Sequence, residues 1–359
     1  MRCAGWPQLV AALLLVAGCG TANTVSVTSP SPRPSSAAAT PSSSPTPPAA
    51  LCTPSNRCLA VVTLYGSDLM VVRDVTDINH PNTISTFQHD WPQFVNATTL
   101  SYVVNGTGLY RAPLSGSAGT LVARTGEEFA TYVWSPNGDT AAYLAPTSTG
   151  MALHLVSGGQ DRMVPGSIPA LPTVGCEYDP CSGADTWDFR LAYSPNGAFI
   201  SLVMSIAGAN AFRLWSSDGA LLMSSDSASR PMSTWSGTGF YFPDGKGIEV
   251  LRDGVTSGFL PAVAWIHPNA SADGTGIVYE TRDAQGWHHV SVVNTATQKV
   301  RELKKGRTRP VFLTARFIWY RGESSPGISN GKTYVYDLQE GTETGSIIEQ
   351  LWDVWPHAA

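Results

Sequence analysis

Residues 134–143 read Trp-Ser-Pro-Asn-Gly-Asp-Thr-Ala-Ala-Tyr, and residues 193–202 read Tyr-Ser-Pro-Asn-Gly-Ala-Phe-Ile-Ser-Leu. An aromatic residue, a tight polar turn and an apolar run thus return as one block. A returning block is a supersecondary unit that cannot cover its own apolar face and must stack on neighbouring copies of itself. Each copy here holds two hairpins. First hairpins start near Trp91, Trp134, Tyr193, Trp235, Trp265 and Phe312. Second hairpins run over 109–122, 153–164, 212–223, 248–259, 289–303 and 334–347, and an extra one, 69–86, precedes them.

The turn residues agree with strands. Asn137-Gly138, Asn196-Gly197, Asp218-Gly219 and Asp253-Gly254 lie between apolar runs, and such pairs supply the positive φ of tight β-turns. No amphipathic stretch is long enough for a helix. The expectation is an all-β fold, a β-propeller of four-stranded blades. Six first hairpins and seven second hairpins call for a closure device. Residues 57–65 supply strand B of the first blade, and its missing innermost strand comes from the C-terminus near 349–355. That joins the two ends and leaves only short edges. Seven blades are favoured, with six as the alternative. The aromatic before each turn is read as blade-to-blade core and not as a ligand platform.

The repeats resemble the WD40-like propeller repeat of the TolB family over roughly residues 58–348. The best match is 265–303, where Ser271-Ala-Asp-Gly precedes Ile277-Val-Tyr-Glu-Thr-Arg-Asp and then His289-Val-Ser-Val-Val-Asn. Residues 134–164 match nearly as well. Trp91 lacks the Ser-Pro-Asp-Gly turn, and Trp235 is followed by Ser-Gly-Thr-Gly. The resemblance implies a fold; propellers host many unrelated activities.

The N-terminus reads as a processing segment. Arg2 precedes a short apolar run from Leu9 to Val16, about half the roughly 20 residues needed to span a bilayer. It ends in Val16-Ala17-Gly18-Cys19, which resembles a bacterial lipobox. That implies a signal peptide over 1–18 and diacylglycerol (with a palmitate-type acyl chain) on Cys19, which anchors a chain without spanning the membrane. The alternative is an ordinary signal peptide with a chance cysteine. Residues 19–50 are mostly Ser, Thr, Pro and Ala, with seven prolines and one charge, Arg33. Such a segment cannot bury enough apolar surface to offset its ordering entropy, so a tether with a reach of at most roughly 90 Å is expected. The globular domain is placed at 51–359. Four further cysteines form two close pairs, Cys52 with Cys58 and Cys176 with Cys181, and local disulfides are the simplest of the three connectivities. Their spacing does not suit zinc. The expected location is the outer face of a bacterial cell membrane, in the cell envelope.

Seventeen arginines against five lysines, and a net charge of −5, argue against a nucleic-acid partner. In a four-stranded blade the A–B and C–D turns share one face, and the B–C and D–A connections share the other. The long connections 166–187, 280–288 and 321–333 would then all project from the B–C/D–A face, and function concentrates in loops on rigid scaffolds. Glu177, Tyr178, Asp179, Asp185, Trp187, Trp287, His288 and Arg321 are the candidate binding residues, for an envelope protein or peptide met by a monomer. Lys304, Lys305, Arg307 and Arg309 read as a solvated turn on that face.

Catalytic signatures are thin. Gly327-Ile-Ser329-Asn-Gly331 matches a nucleophile elbow in letters, with Asp337 and His357 in the right order, yet no helix follows the serine. His288 and His289 are strand neighbours and point to opposite faces. No cofactor and no metal is assigned. Two other readings stay open: a metal-dependent lactonase or hydrolase with a channel site drawing on Asp185, Asp188 and Glu280, and a cell-wall glycan binder.

Overall fold

The computed structural model describes residues 52–357, apart from 54–56, 68, 89, 105, 117, 125–130, 167, 169–187, 207–208, 226–231 and 238. These residues contain no helix. They form seven four-stranded antiparallel sheets, six of them paired in chain order. Blades 2 to 7 span residues 90–123, 131–163, 188–225, 234–261, 266–305 and 307–345. Blade 1 takes its B, C and D strands from 59–87 and its innermost strand, Ile348–Trp355, from the other end of the chain. Leu59 pairs with Trp355 and Ala60 with Val354. The fold is therefore a seven-bladed β-propeller closed by both ends of the chain.

The repeated turn has one hydrogen-bond plan. In blades 3, 4 and 6 the glycine N–H of Gly138, Gly197 and Gly274 donates to the serine carbonyl of Ser135, Ser194 and Ser271 at 2.8, 2.8 and 2.9 Å. The same serine hydroxyls accept from the N–H of Thr140, Phe199 and Gly276 at 3.0, 2.9 and 2.9 Å. They donate in turn to Asn137, Asn196 and Asp273. Only the glycine is left-handed, with φ of 72°, 69° and 68°; the Asn or Asp serves as the hydroxyl's acceptor. Gly138 also tolerates no side chain, since a Cβ there would lie 2.9 Å from Val95 of the preceding blade. At Asp253-Gly254 both residues are left-handed, at 49° and 77°, as a two-residue I′ hairpin requires.

Register shifts the expected aromatic position in two blades. The matching A–B pairs near the turn are Phe94–Leu100, Trp134–Ala141, Tyr193–Ile200, Trp235–Phe240, Ala270–Ile277 and Phe312–Ile318 in blades 2 to 7, with one further pair beyond them in blades 2 and 5. Phe94 fills the position expected for Trp91, and Ala270 the one expected for Trp265. Trp91 is 52% exposed, because it sits in a bulge with φ of 56° before Pro92. His267-Pro268 and Arg309-Pro310 repeat that bulge in blades 6 and 7, with φ of 45° and 53°. Trp265 is blade-to-blade core as expected, although one step away in register: it packs in one cluster with Tyr241, Ile248 and Val250 of blade 5, and its indole N–H donates to Met232 O.

Trp134 and Trp235 show what the position does. Their indole N–H groups donate to Ser101 and Ser201 of the preceding blade at 2.7 and 2.9 Å. Core clusters accordingly run from one blade to the next, as from Leu153 of blade 3 to Leu202 of blade 4. The connection expected over 321–333 is also corrected. Strands B and C of blade 7 extend over Phe317–Ser325 and Ile328–Asp337, leaving a two-residue turn. In blade 6 the B–C turn shrinks to 283–287. Cys52 and Cys58 are disulfide-bonded, with Cα atoms 4.9 Å apart.

Candidate functional site

The B–C/D–A face holds three candidate residues among those described. Trp287 is half-buried, with Lys305 Nζ 5.8 Å from its ring. Arg321 is half-buried over Trp319, and burial lowers its pKa from the usual arginine value. His288 does not reach the surface: it is 2% exposed, and its Nδ1 lies 2.5 Å from the equally buried Glu323 of blade 7. Glu323 also accepts from the backbone N–H of His288 and of Gly327, so it pins the long blade 7 hairpin to blade 6. That bond explains why the hairpin continues where a loop was expected. Glu177, Tyr178, Asp179, Asp185, Trp187, Cys176 and Cys181 lie outside the described residues, as does Cys19.

The basic run 304–309 is not a free cationic patch. Only Gly306 separates strand D of blade 6 from strand A of blade 7. Lys305 bonds Asp283 at 2.7 Å, and Arg307 grips Glu343 through Nε and Nη2 at 3.0 and 2.8 Å. His289 points away from His288, with its nitrogens on Glu302 and Asp283 at 2.8 and 3.0 Å. These two carboxylates, Glu302 first, raise its pKa. Lys305 and then His289 hold Asp283 well below the usual carboxylate range.

Exposed apolar side chains mark this face more clearly than the loops do. Tyr65 and Ile328 stand at the B–C turns of blades 1 and 7, 45% and 60% exposed. Ile347 stands at the passage from blade 7 to blade 1, 59% exposed, and its carbonyl accepts from Tyr65 N–H. Trp352 and Trp91 lie on the adjacent innermost strands of blades 1 and 2, both exposed. Tyr65 OH donates to Gly331 O, and Trp352 Nε1 to Thr63 Oγ1. Exposed aromatic and aliphatic groups of blades 7, 1 and 2 therefore lie on neighbouring elements. Sequence alone hid this cluster, because its members lie almost 290 positions apart.

Ser329 lies at the start of strand C of blade 7, in an exposed hairpin with no helix after it. Its hydroxyl accepts from Gly331 N–H. Asp337 is held by Arg316, and His357 by Asp353, so the three residues of the elbow match do not meet. Glu280, a candidate channel carboxylate, is fully buried between blades 6 and 7. It contacts His267 Nδ1 and accepts from Arg309 N–H. Asp185 lies outside the described residues, and Asp188 opens strand A of blade 4. Among the described residues, no three metal-binding side chains converge.

The axis has its own site, on the A–B side, which the sequence did not reveal. A cavity of about 440 Å³ is walled by Val133, Ala192 and Thr234 of the innermost strands and by Trp134, Tyr193 and Trp235 at their ends. Arg190, Gln93, Asp353, Trp355 and His357 complete it. Asp353 Oδ2 accepts from Phe94 N–H at 2.6 Å and lies 3.1 Å from His357 Nε2. Burial works against the imidazolium of His357, but the Asp353 carboxylate outweighs it and the pKa rises. Tyr193 OH is buried without a hydrogen-bond partner, and burial pushes its pKa up to about 12.

No protein-family model matches the chain, and no curated protein matches it in sequence. Solved structures match it in fold. The propeller domain of the trilobed protease from Pyrococcus furiosus is 10% identical over 72% of this chain and 84% of its own, with a TM-score of 0.51. A functionally unknown protein from Desulfotomaculum acetoxidans is 14% identical over 84% and 99%, with a TM-score of 0.52. TolB from Acinetobacter baumannii is 11% identical over 81% and 79%, with a TM-score of 0.43. At these identities the likeness is one of fold.

Proposed function

We propose that this propeller is a capture module that binds a protein or peptide of the cell envelope on its B–C/D–A face. The observation that carries the reading is the exposure of Tyr65, Trp91, Ile328, Ile347 and Trp352 on neighbouring blades 7, 1 and 2. Exposed apolar groups gathered on one side mark interaction sites, and aromatic anchors dominate binding energy at such sites. The Cys176/Cys181 pair expected to form a disulfide lies between strand D of blade 3 and strand A of blade 4 in sequence, outside the described residues, and a loop cross-linked there would lose less entropy on binding.

We further propose that acyl chains on Cys19 hold the module at the outer surface of the cell membrane. Support comes from the sequence, where the apolar run from Leu9 to Val16 ends in Val16-Ala17-Gly18-Cys19, which resembles a lipobox.

The test places a photo-cross-linking amino acid at Trp91 in intact cells, with a second at Val255 on the opposite edge as control. The expected outcome is a discrete adduct from position 91 only, weakened when 176–181 is replaced by a Gly/Ser turn. Adducts from both positions alike, or from neither, remove the capture reading. Cell-wall glycan is the second reading, favoured by Trp91 and Trp352 as exposed stacking surfaces; pull-down on isolated wall material separates the two.

A further inference from the structure

Two spaces adjoin on the A–B side of blades 3 and 4. The first is the axial cavity of about 440 Å³. The second is a cleft of about 390 Å³ between the A–B turn of blade 3 and the A–B and C–D turns of blade 4. Pro136, Tyr193 and Pro195 line both. Each volume falls in the range of small-molecule sites, roughly 300–1,000 Å³.

The cleft is held in shape by its own turns. Arg162 Nη2 of blade 3 donates to Asp218 O of blade 4 at 2.6 Å, and Ser217 N–H donates to Ala198 O at 2.9 Å. Pro136 sits so close to Gly197 that a Cβ there would lie 3.5 Å from its ring. A ligand would therefore meet walls already in place, which lowers the entropy lost on binding.

The two spaces differ in chemistry. Val133, Ala192, Trp235 and Trp355 give the axial cavity an aliphatic and aromatic wall, which suits a ring. Its charged groups are engaged: Asp353 with His357 at 3.1 Å, and Arg190 with Pro268 O at 2.9 Å. The cleft instead offers hydroxyl and amide groups. Thr140 Oγ1 and Ser217 Oγ make no hydrogen bond among the described residues. Asn196 Oδ1 accepts from Ser194 Oγ and Ala198 N–H within its turn, so the amide atom left over is the donor Nδ2. Asp218 Oδ1 is occupied in the same way by Ser216 and Ala220, which leaves Oδ2 as an acceptor. A mixed set of donors and acceptors suits ligand hydroxyls, which give and take a hydrogen bond at once. Asp218 at one end disfavours an acid and Arg190 at the other disfavours a base, since like charges in apposition are costly.

We propose that these adjoining spaces bind an uncharged sugar that carries an aromatic ring, with the ring in the axial cavity and the sugar hydroxyls on Thr140, Asn196, Ser217 and Asp218. No residue of this site belongs to the exposed set Tyr65, Trp91, Ile328, Ile347 and Trp352, so either reading can fail while the other stands.

Titration of the full chain with fluorescent 4-methylumbelliferyl β-D-glucoside tests it. 7-Methoxy-4-methylcoumarin is that ring without the sugar. One glucoside should bind per chain, about tenfold more tightly than the coumarin, as one or two made hydrogen bonds imply. Asn196→Asp keeps the acceptor of the turn, as Asp273 supplies it in blade 6, and removes the donor. Combined with Thr140→Val, it should cancel the preference and leave the affinity for the coumarin unchanged. Val133→Phe, which narrows the axial cavity, should weaken both ligands with the melting temperature kept. Phenyl β-D-glucoside and adenosine both join a ring to a sugar, and displacement by one more than the other tells a glycoside source from a nucleoside source. Displacement by neither overturns the proposal. So does unsaturable binding, a glucoside held no more tightly than the coumarin, or a folded Asn196→Asp/Thr140→Val variant that keeps the preference. If Val133→Phe fails to fold, the coumarin comparison and the two competitors still decide.

Discussion

The arc of blades 6, 7, 1 and 2 and the arc of blades 3, 4 and 5 are built from the same repeat, yet they spend their inward residues differently. On the first arc, Asn269, Asp353 and Gln93 lace adjacent innermost strands, and Thr333 and Trp319 bind the carbonyl of Ile348 to bring blade 7 against the closing strand. On the second, Val133, Ala192 and Thr234 leave a hollow. The laced arc contains blade 1, where no covalent link joins strand Ile348–Trp355 to strand Leu59–Leu64 and their pairing alone closes the ring. The arc opposite that closure does without such ties among the described hydrogen bonds.

The largest expected effect is at the seam. Deleting residues 348–359 leaves the strand Leu59–Leu64 with an unpaired edge and exposes the apolar cluster of Ala60, Val62 and Val335. Unpaired edges template association, so loss of the cooperative melt and aggregation on a sizing column are expected. The equivalent loss of one outer strand, such as Gln160–Met163, which is exposed throughout, should leave a folded monomer. Equal damage from both deletions would break the comparison.

Next come the buried pairs at the blade 6–7 interface. Glu280→Ala leaves His267 and Arg309 N–H without their partner, and Glu323→Ala does the same to His288. Removing one member of a buried pair costs about 3 kcal/mol. Urea melts should show that loss for each, and a variant within about 0.5 kcal/mol of wild type would mean that water replaces the partner.

Much of the laced arc was hidden in the sequence, and the reason is physical. The Ser-Pro-Asn-Gly turns are local: six residues hold serine, acceptor and glycine together, so strand, turn and strand could be read at once. Closure was legible too, because seven second hairpins outnumber six first hairpins. The lacing spans long separations, 259 positions for Asp353 and Phe94, and no local pattern announces it. A signal existed nonetheless, in Gln93 and Asn269 standing at strand positions that are apolar in blades 3, 4 and 7. The bulge at Trp91-Pro92 misled in the opposite sense: it turns a tryptophan outward and hands its place to Phe94. The hairpin 321–333 looked like a loop because of its Gly, Ser and Pro content, while the buried Glu323 that extends it was an ordinary acid on paper. Tyr65, Ile347 and Trp352 were equally unreadable as one rim.

pH sharpens the comparison at a smaller scale. His289 and His357 both have raised pKa values. A raised folded value adds stability that is fully present below the ordinary histidine value, ~6.5, and is lost as pH rises through the folded value. The melting temperature should therefore decline from pH 6 toward pH 9, and His357→Gln should flatten part of that decline. Asp283 and Asp337, held low by Lys305 and Arg316, act the other way. Their contribution is present above the ordinary carboxylate range and is lost on acidification below it.

The smallest effect discriminates best between the arcs. Trp134 and Trp235 each find a serine on strand B of the preceding blade, at Ser101 and Ser201. The same register position in blade 3 is Ala142, paired with Val133 as Ser101 is with Gln93. Tyr193, which packs with Ala142 in one core cluster, therefore has a buried hydroxyl with no partner. An unmade buried bond costs about 1–3 kcal/mol against a made one. Trp235→Phe should thus destabilise by about 1 kcal/mol, since it strands Ser201. Tyr193→Phe should be neutral or stabilising by up to about 1 kcal/mol, since it removes an unsatisfied group and keeps the ring. Ala142→Ser, offering Tyr193 the partner that Trp134 and Trp235 have, should raise stability in the wild type and lose that gain in the Tyr193→Phe background. A double-mutant cycle from urea melts reads the coupling directly. Zero coupling would mean that the hydroxyl turns toward the cavity, where an acid or amide group of a ligand could take the bond that blade 3 withholds.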